Sequence, residues 1–245
     1  MAVSTRHGGT STGAYESLNL GLHVGDDPGR VVANRERAAR AFGVTLGDMV
    51  FAQQVHGSAA AVVGPEDRGR GSRTQDDALA ATDTLITTSP GVTLAVLVAD
   101  CVPLLLADPV AGVLAVVHAG WRGTAAGVAG HALEVMEQHG AQRPRVVAYL
   151  GPAVSPGRYQ VDRKVVDGLE AAVAPAALDP AVARPDGSVH WRVDLVTANK
   201  QQLVLGGLSA DRVFDSGATS DDGDHFSDRA QRPCGRFALL ARLLG

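Results

Sequence analysis

Cysteine is nearly absent: only Cys101 and Cys234 occur in 245 residues, which excludes a disulfide framework and leaves each thiol to be judged alone. No stretch of about 18 apolar residues exists to span a bilayer. The start, MAVSTRHGGTSTG, has no basic segment followed by an apolar one, so the expectation is a cytoplasmic protein that does not engage a membrane. Neither charge sign dominates, with 22 Lys and Arg against 26 Asp and Glu, and the basic residues are scattered. That pattern offers no electrostatic footprint for nucleic acid and points to a small-molecule partner. Aromatic residues make up only 4% of the chain, and no internal repeat or long low-complexity tract is present. Solenoids and propellers are thereby excluded.

What is present is ordinary globular composition, 45% hydrophobic, in a chain long enough to bury a sizeable core. The expected organisation is a single domain over 1–245. Helical spacing runs from Pro28 to Phe42, with Asp26 and Asp27 ahead and Gly43 behind. The run GPEDRGRGSRTQDD at 64–77 has almost no apolar content and reads as an exposed, mobile loop. Runs rich in Val, Ile and Leu at Asp83–Thr87, Val92–Ala99, Val102–Ala107 and Val113–Val117 read as buried strands, as do Val50–Val55, Arg145–Gly151 and Val213–Asp215. Helices are expected at about Trp121–His139, Asp162–Ala174 and Asp194–Leu205. Strands alternating with helices, several of them adjacent, predict an α/β (α+β) class: a single-domain sandwich of mixed β-sheets flanked by helices.

The stretch from Val98 to Thr124 carries the most chemistry. If its two apolar runs pair around DPVAG, Cys101 and His118 are equidistant from a turn between Pro109 and Val110 and face each other at one end of the hairpin. A bulge would slip this by a residue. Three readings stay open at this point. One is a buried thiol beside a hydrogen-bonded histidine, one a Cys–His nucleophilic pair, and one a transition-metal site needing at least one further ligand. His56, at the end of the 50–55 run and before Gly57, is the best candidate for that ligand. A His, Cys, His set with a vacant position is the pattern of a catalytic zinc site.

Beyond His118 the chain reads AGWRGTAAG and enters a helix, which brings Arg122 and free backbone N–H groups beside these residues as an anion site. The alternative is an Arg122 that simply pairs with a carboxylate. The segment TRHGGTSTGAY spaces Gly8 and Gly13 like a phosphate loop, but Ala14 stands where the lysine is required. Arg229, Arg232 and Arg236 could add basic groups to an anionic site, although a solvated basic face is the simpler reading.

Taken together the blocks TRHGGTS (5–11), SLNLGLHVGDD (17–27), ANR (33–35), QQVHG (53–57), DTLIT (83–87), ADCVPLLLAD (99–108), HAGWRGT (118–124), YLGPAVS (149–155), VDL (193–195) and HFSDR (225–229) resemble the bacterial laccase-domain (YfiH-like) family, once described as polyphenol oxidases. The resemblance implies zinc-dependent purine nucleoside phosphorylases with adenosine deaminase activity. It implies metal ligation by His56, Cys101 and His118, with Arg6, Asn19, Arg122 and Arg229 lining the site. Two departures stand out: Ala218-Thr219 where many members have Cys-Thr, and Arg158-Tyr159-Gln160 where they have Cys-Tyr-Glu.

The expected activity is phosphorolysis of purine nucleosides (adenosine, inosine, guanosine, methylthioadenosine) to free base and ribose 1-phosphate, with Arg6, Arg122 and Arg229 on the phosphate. Deamination of adenosine is a further activity, with Asp100 as candidate proton shuttle; the usual H-x-E and P-C-x-x-C deaminase signature is missing. Zn2+ is the expected cofactor, with Cu2+ as an adventitious or alternative metal. The rival readings are a copper-loaded polyphenol oxidase, a cysteine hydrolase using Cys101, and a metal-stabilised nucleotide sensor. The oxidase reading is opposed by the lack of any H-x-H pair. A monomer is expected, with a dimer as the alternative.

Overall fold

Strong alternation along one central hairpin sets the layers of this protein, for which a computed structural model describes residues 1–173 and 182–244. In chain order the elements are β1 (Ala2–Val3), α1 (Pro28–Ala41), β2 (Met49–Val50), β3 (Ala60–Val62), β4 (Thr84–Thr87), β5 (Thr93–Val98), β6 (Val102–Asp108) and β7 (Val113–Ala119). They continue with α2 (Trp121–Ala125), α3 (Val128–Gln138), β8 (Val147–Leu150), β9 (Gln160–Val161), α4 (Arg163–Val173), β10 (Ala183–Pro185), β11 (Trp191–Val193), α5 (Leu195–Leu205), β12 (Val213–Asp215) and β13 (Phe237–Arg242). A six-stranded mixed sheet has the order β12-β8-β6-β7-β4-β3, a four-stranded one β1-β13-β5-β2, and a small antiparallel one β10-β11-β9.

Because side chains alternate across a strand, β6 and β7 feed two cores at once. Leu104, Leu106, Val113, Ala115 and Val117 pack with Ala132, Leu133 and Met136 of α3 and with Leu169 and Leu203. Leu105, Leu114 and Val116 face the other way and meet Leu94, Val96 and Leu239 of the four-stranded sheet. On that sheet's far side Ala95, Leu97 and Leu240 pack against Ala38 and Ala39 of α1. Burial on both faces is why these strands read as continuous apolar runs. The result is the expected mixed sandwich with helices outside.

Three details differ from the sequence reading. The hairpin pairs Pro103 with His118 and Asp108 with Val113, so its turn is centred one residue later than expected. The cause is the Asp108 carboxylate, which accepts from Val110 N and Ala111 N at 3.0 Å each and seats a wider turn. The long helix expected from Trp121 to His139 is broken at Gly127, which adopts φ +74. The 50–55 strand stops at Val50, with Ala52 making one isolated bridge to Leu79.

Residues 64–77 form a largely exposed loop, as expected, anchored at Gly71 and Ser72. Arg35 of α1, 1% exposed, donates to the carbonyls of Leu20, Gly71 and Ser72 and stacks on Phe51. Pro65–Asp67 forms a 3-10 turn, and Ser72 is buried. Ala174, the last residue of the helix expected at Asp162–Ala174, lies outside the described residues; α4 runs over Arg163–Val173.

Candidate metal centre and active-site cleft

The inter-sheet face of the central hairpin runs through Ala107, Leu105 and Pro103 and ends at Cys101, just outside β6. Cys101 therefore lies two residues past His118's partner but on its face, a diagonal neighbour within side-chain reach. On the other side of β7, Thr84 pairs with Val117, so Asp83 lies opposite His118 at the entrance to β4. The His118 N–H donates to the Asp83 carbonyl at 2.8 Å, and the His118 Nδ1 meets the Asp83 carboxylate at 2.8 Å. That carboxylate also accepts from Val55 N at 3.2 Å, His56 N at 2.9 Å and Gly57 N at 2.8 Å. Backbone that would have continued β2 is thus spent on one buried aspartate, and His56 takes φ +62 to leave the strand direction.

This arrangement brings His56, Cys101 and His118 together, with ligand atoms all within 4.8 Å of one another. Among the described residues it is the one such group of three or more His, Cys or acidic side chains. The two imidazoles lie edge to face, their centroids 4.7 Å apart. Burial alone would push the Cys101 thiol up, but the His118 charge, with hydrogen bonds from His118 and His56, pulls it down to about 6. His118 moves in the opposite direction: burial opposes its charge, yet Cys101 and Asp83 raise it to about 9. A thiolate and two imidazoles, one with Nδ1 held by a carboxylate and Nε2 left over, suit a tetrahedral divalent metal. The backbone leaves room for that set, since a Cβ on Gly120 would stand 2.8 Å from Cys101 Sγ and 3.0 Å from His56 Cδ2.

The triad forms one wall of a cleft of about 350 Å3, within the range of small-molecule sites. Arg122 and Arg229 line it, each laid over an aromatic ring: Arg122 is 4.4 Å from the Trp121 centroid and Arg229 is 5.2 Å from that of Tyr159. Neither guanidinium has a carboxylate partner among the described residues, whereas Arg232 is paired with Asp228. Arg232 and Arg236 line the cleft too, and Arg229 and Arg232 are exposed, so the basic tail is a solvated face that also borders the cleft. The Arg236 Nη1 is largely occupied by the carbonyls of Cys234 and Gly235, at 3.0 Å each.

The other sequence-derived candidates fall in different places. Asp100, at φ +87, lines the cleft, but its carboxylate accepts from Ser220 Oγ at 2.7 Å, Ser227 Oγ at 2.6 Å and Arg229 N at 2.5 Å. Asn19 is fully buried, bridging Gly21 N, Arg236 N and the Asp26 carboxylate, and does not line the cleft. Arg6 lies over Phe226 beside a separate small cavity and donates to the Glu16 carbonyl. Ala218 is exposed and lines none of these cavities, and the Gln160 amide donates to Asp186.

Asp83 and His23 are not among the candidates the sequence offers, and Tyr159 enters there only within the Arg158-Tyr159-Gln160 departure. The one available signal was an aspartate at the mouth of an apolar strand. His23 is exposed and lines the cleft, with the neighbouring Arg236 and Arg35 disfavouring its charged form.

Residues 1–243 match the family described as multi-copper polyphenol oxidoreductase laccase. The chain belongs to this laccase-domain family. Curated laccase-domain relatives carry a different name. A Geobacillus stearothermophilus protein named purine nucleoside phosphorylase YlmD is 39% identical over 234 residues, covering 94% of this chain and 84% of the relative. A Streptomyces coelicolor protein also named purine nucleoside phosphorylase is 42% identical, covering 97% and 93%. Among solved structures, YlmD from G. stearothermophilus superposes with a TM-score of 0.95 at 36% identity, covering 99% of this chain and 91% of that one. The Bacillus licheniformis protein YfiH gives 0.94 at 33%, covering 98% and 91%. No helix among the described residues is long and apolar enough to cross a membrane.

Proposed function

We propose that this protein is a metal-dependent purine nucleoside phosphorylase acting on small-molecule nucleosides in the cytoplasm. The observation that carries this reading is the juxtaposition, in one cleft, of a His56–Cys101–His118 ligand set and two unpaired guanidiniums, Arg122 and Arg229. The names of the curated relatives agree with it.

Phosphorolysis needs a phosphate oxygen aimed at C1′ of the ribose and a cleft that holds the departing base. Arg122 and Arg229 hold the phosphate; stacking on Trp121 and Tyr159 limits their freedom before the anion arrives, which lowers the ordering cost of binding. Asp100, with its oxygens engaged by Ser220, Ser227 and the Arg229 backbone, acts here by positioning Arg229. His23, in the cleft lining, offers the purine a hydrogen-bonding ring. His56, Cys101 and His118 would hold a zinc ion, which would supply Lewis-acid polarisation when bound. Deamination of adenosine is the second reaction we assign to the same cleft, and copper is the alternative metal for the same ligands.

The test is an assay of metal-analysed protein with adenosine, with and without phosphate, resolving adenine, inosine and hypoxanthine. Phosphate-dependent adenine with ribose 1-phosphate supports the phosphorylase, and inosine without phosphate supports the deaminase. No product from zinc-loaded protein overturns both.

A second reading has its own observation. Cys101, His118 and Asp83 stand in line as nucleophile, base and orienting carboxylate, with the thiol pulled down to about 6. A cysteine hydrolase built on that line keeps its activity under chelation and loses it on alkylation.

A further inference from the structure

The ridge formed by Trp121, Arg122, Tyr159 and Arg229 has two sides. Its inner side faces the metal ligands; its outer side walls a second basin of about 490 Å3, also of ligand size. Lys164, in the first turn of α4, and His190, just ahead of β11, line only this outer basin. Their side chains make no hydrogen bond or ion pair with the described residues. The acids near them are already engaged: Asp186, which feels the charge of His190, accepts from Gln160 and Arg192. The Asp162 carboxylate accepts from Val165 N at 3.3 Å, and the Gln160 amide donates to Asp186 at 2.7 Å. Two arginines without carboxylate partners, a lysine and a histidine thus converge on a concavity whose one lining acid serves a helix start. Such an excess of unpaired donors fits a dianion with three or more acceptor oxygens.

We propose that the outer basin is a second phosphate subsite. Continuity with the inner cleft through the Arg122–Arg229 ridge makes the 5′-phosphate of a nucleotide its preferred occupant, with a second free phosphate ion as the other source of the same chemistry. This rests on the nucleoside reading of the inner cleft. A ribose held there with its 5′ oxygen toward the ridge hands a 5′-phosphate across to Lys164 and His190, while the base stays on the metal side.

The test is equilibrium titration calorimetry of the zinc-loaded full chain at low ionic strength, with adenosine, AMP, ribose 5-phosphate and inorganic phosphate as separate probes. AMP is expected to bind about tenfold more tightly than adenosine, the gain of one charge-assisted contact at an open site. The AMP-to-adenosine affinity ratio should fall to near one in the Lys164→Ala, His190→Ala double variant and persist in Lys164→Arg, which keeps the charge. That pattern supports the subsite with a nucleotide as its occupant. If AMP gains nothing but inorganic phosphate shows a second binding event that the double variant removes, the subsite stands with the free ion as occupant. AMP no tighter than adenosine together with a single phosphate event, or an AMP advantage untouched by the double variant, overturns the proposal. None of these measurements requires turnover. A protein that binds AMP through Lys164 yet yields no base from adenosine and phosphate refutes the phosphorylase reading and leaves the subsite intact.

Discussion

Replacing Asp83 should separate the strength of the fold from the strength of the metal site. Its fully buried carboxylate accepts four hydrogen bonds, three from the backbone of Val55, His56 and Gly57 and one from His118 Nδ1. In Asp83→Ala all four donors lose their partner. Each unsatisfied donor costs about 1–3 kcal/mol when fully buried, but Val55 and His56 are exposed enough for water to reach their N–H groups, so the sum is discounted to about 2–4 kcal/mol. For a chain of this size that is a fall in Tm of roughly 5–15 °C.

Asp83→Asn, with its amide oxygen in the place of Oδ2, keeps the acceptor for the Val55 and Gly57 N–H groups and should recover part of the loss, while its NH2 takes the place of the Oδ1 that His56 N and His118 Nδ1 share. Its amide N–H, however, donates to His118 Nδ1 and drives the ring proton onto Nε2, the nitrogen left for a metal. Zinc affinity should therefore drop about 10–100-fold in Asp83→Asn despite the recovered stability. Thermal melts of metal-free protein read the first effect and competition with a chromogenic chelator reads the second. An Asp83→Asn protein that holds zinc as tightly as the parent would refute the argument that this carboxylate sets the ligand tautomer.

Three further outcomes follow from particular contacts. Gly120 has φ −78 and ψ 170, a conformation open to any residue, so Gly120→Ala acts through its methyl alone; pressed on Cys101 Sγ and His56, it should cost about 1–3 kcal/mol and at least tenfold in zinc affinity, read by calorimetry and chelator competition. Arg122→Gln and Arg229→Gln should each raise KM for phosphate about 10–100-fold, seen in initial rates with phosphate varied, while a KM that does not move removes that arginine from the phosphate site. Asp108 should govern acid stability. Burial opposes its charge, but Arg145 and the N–H groups of Gln142, Ala111 and Val110 bring it down to about 2. Its contribution is fully present above the unfolded value of about 3.9 and is lost as pH falls toward 2, because the unfolded chain takes up the proton first; roughly 1–2 kcal/mol should disappear over that window. Urea titrations at stepped pH should show a flatter profile in Asp108→Asn, and equal slopes in the two proteins would count against this.

The layers of the fold were legible because long apolar runs bounded by Gly, Pro and Asp can be buried on both faces in only a few ways. The register was not, since it turned on the Asp108 side chain choosing two backbone N–H groups in the turn, a contact that periodicity does not carry. Cys101 and His118 could be paired from spacing because a strand keeps its face; a turn shifted by one residue changes the partner by two and leaves the face unchanged. Asp83 escaped notice because an acid at a strand entrance looks like a turn residue until the strand across from it is known to carry His118. Arg6 and Asn19 belong to conspicuous blocks, yet the structure uses Asn19 to fix the backbone of Arg236, one step removed from the cleft, and lays Arg6 over Phe226. The ridge was invisible in sequence because Trp121 and Tyr159 come from segments far apart in the chain.

The line Cys101, His118, Asp83 would serve a nucleophile and a metal equally well, since both need a thiolate and a histidine whose tautomer is fixed by a carboxylate. What differs between them is His56. A nucleophilic thiolate needs one base and an open approach for the carbonyl carbon it attacks. A second imidazole at ligand distance from Sγ, on a loop anchored by the same aspartate, occupies that approach and adds nothing to the proton transfer. A divalent metal gains its third ligand from the same residue. The multi-copper description of the family meets the opposite difficulty. All eight histidines and both cysteines of the chain fall within the described residues, yet only His56, His118 and Cys101 of them come together as a ligand group, enough for one metal and not for the several coppers that such an oxidase coordinates. A three-ligand group that could hold one metal, beside two guanidiniums without carboxylate partners, suits an anion and a Lewis-basic substrate. That combination is why the phosphorylase name of the relatives, and not the oxidase name of the family, agrees with the residues in the cleft.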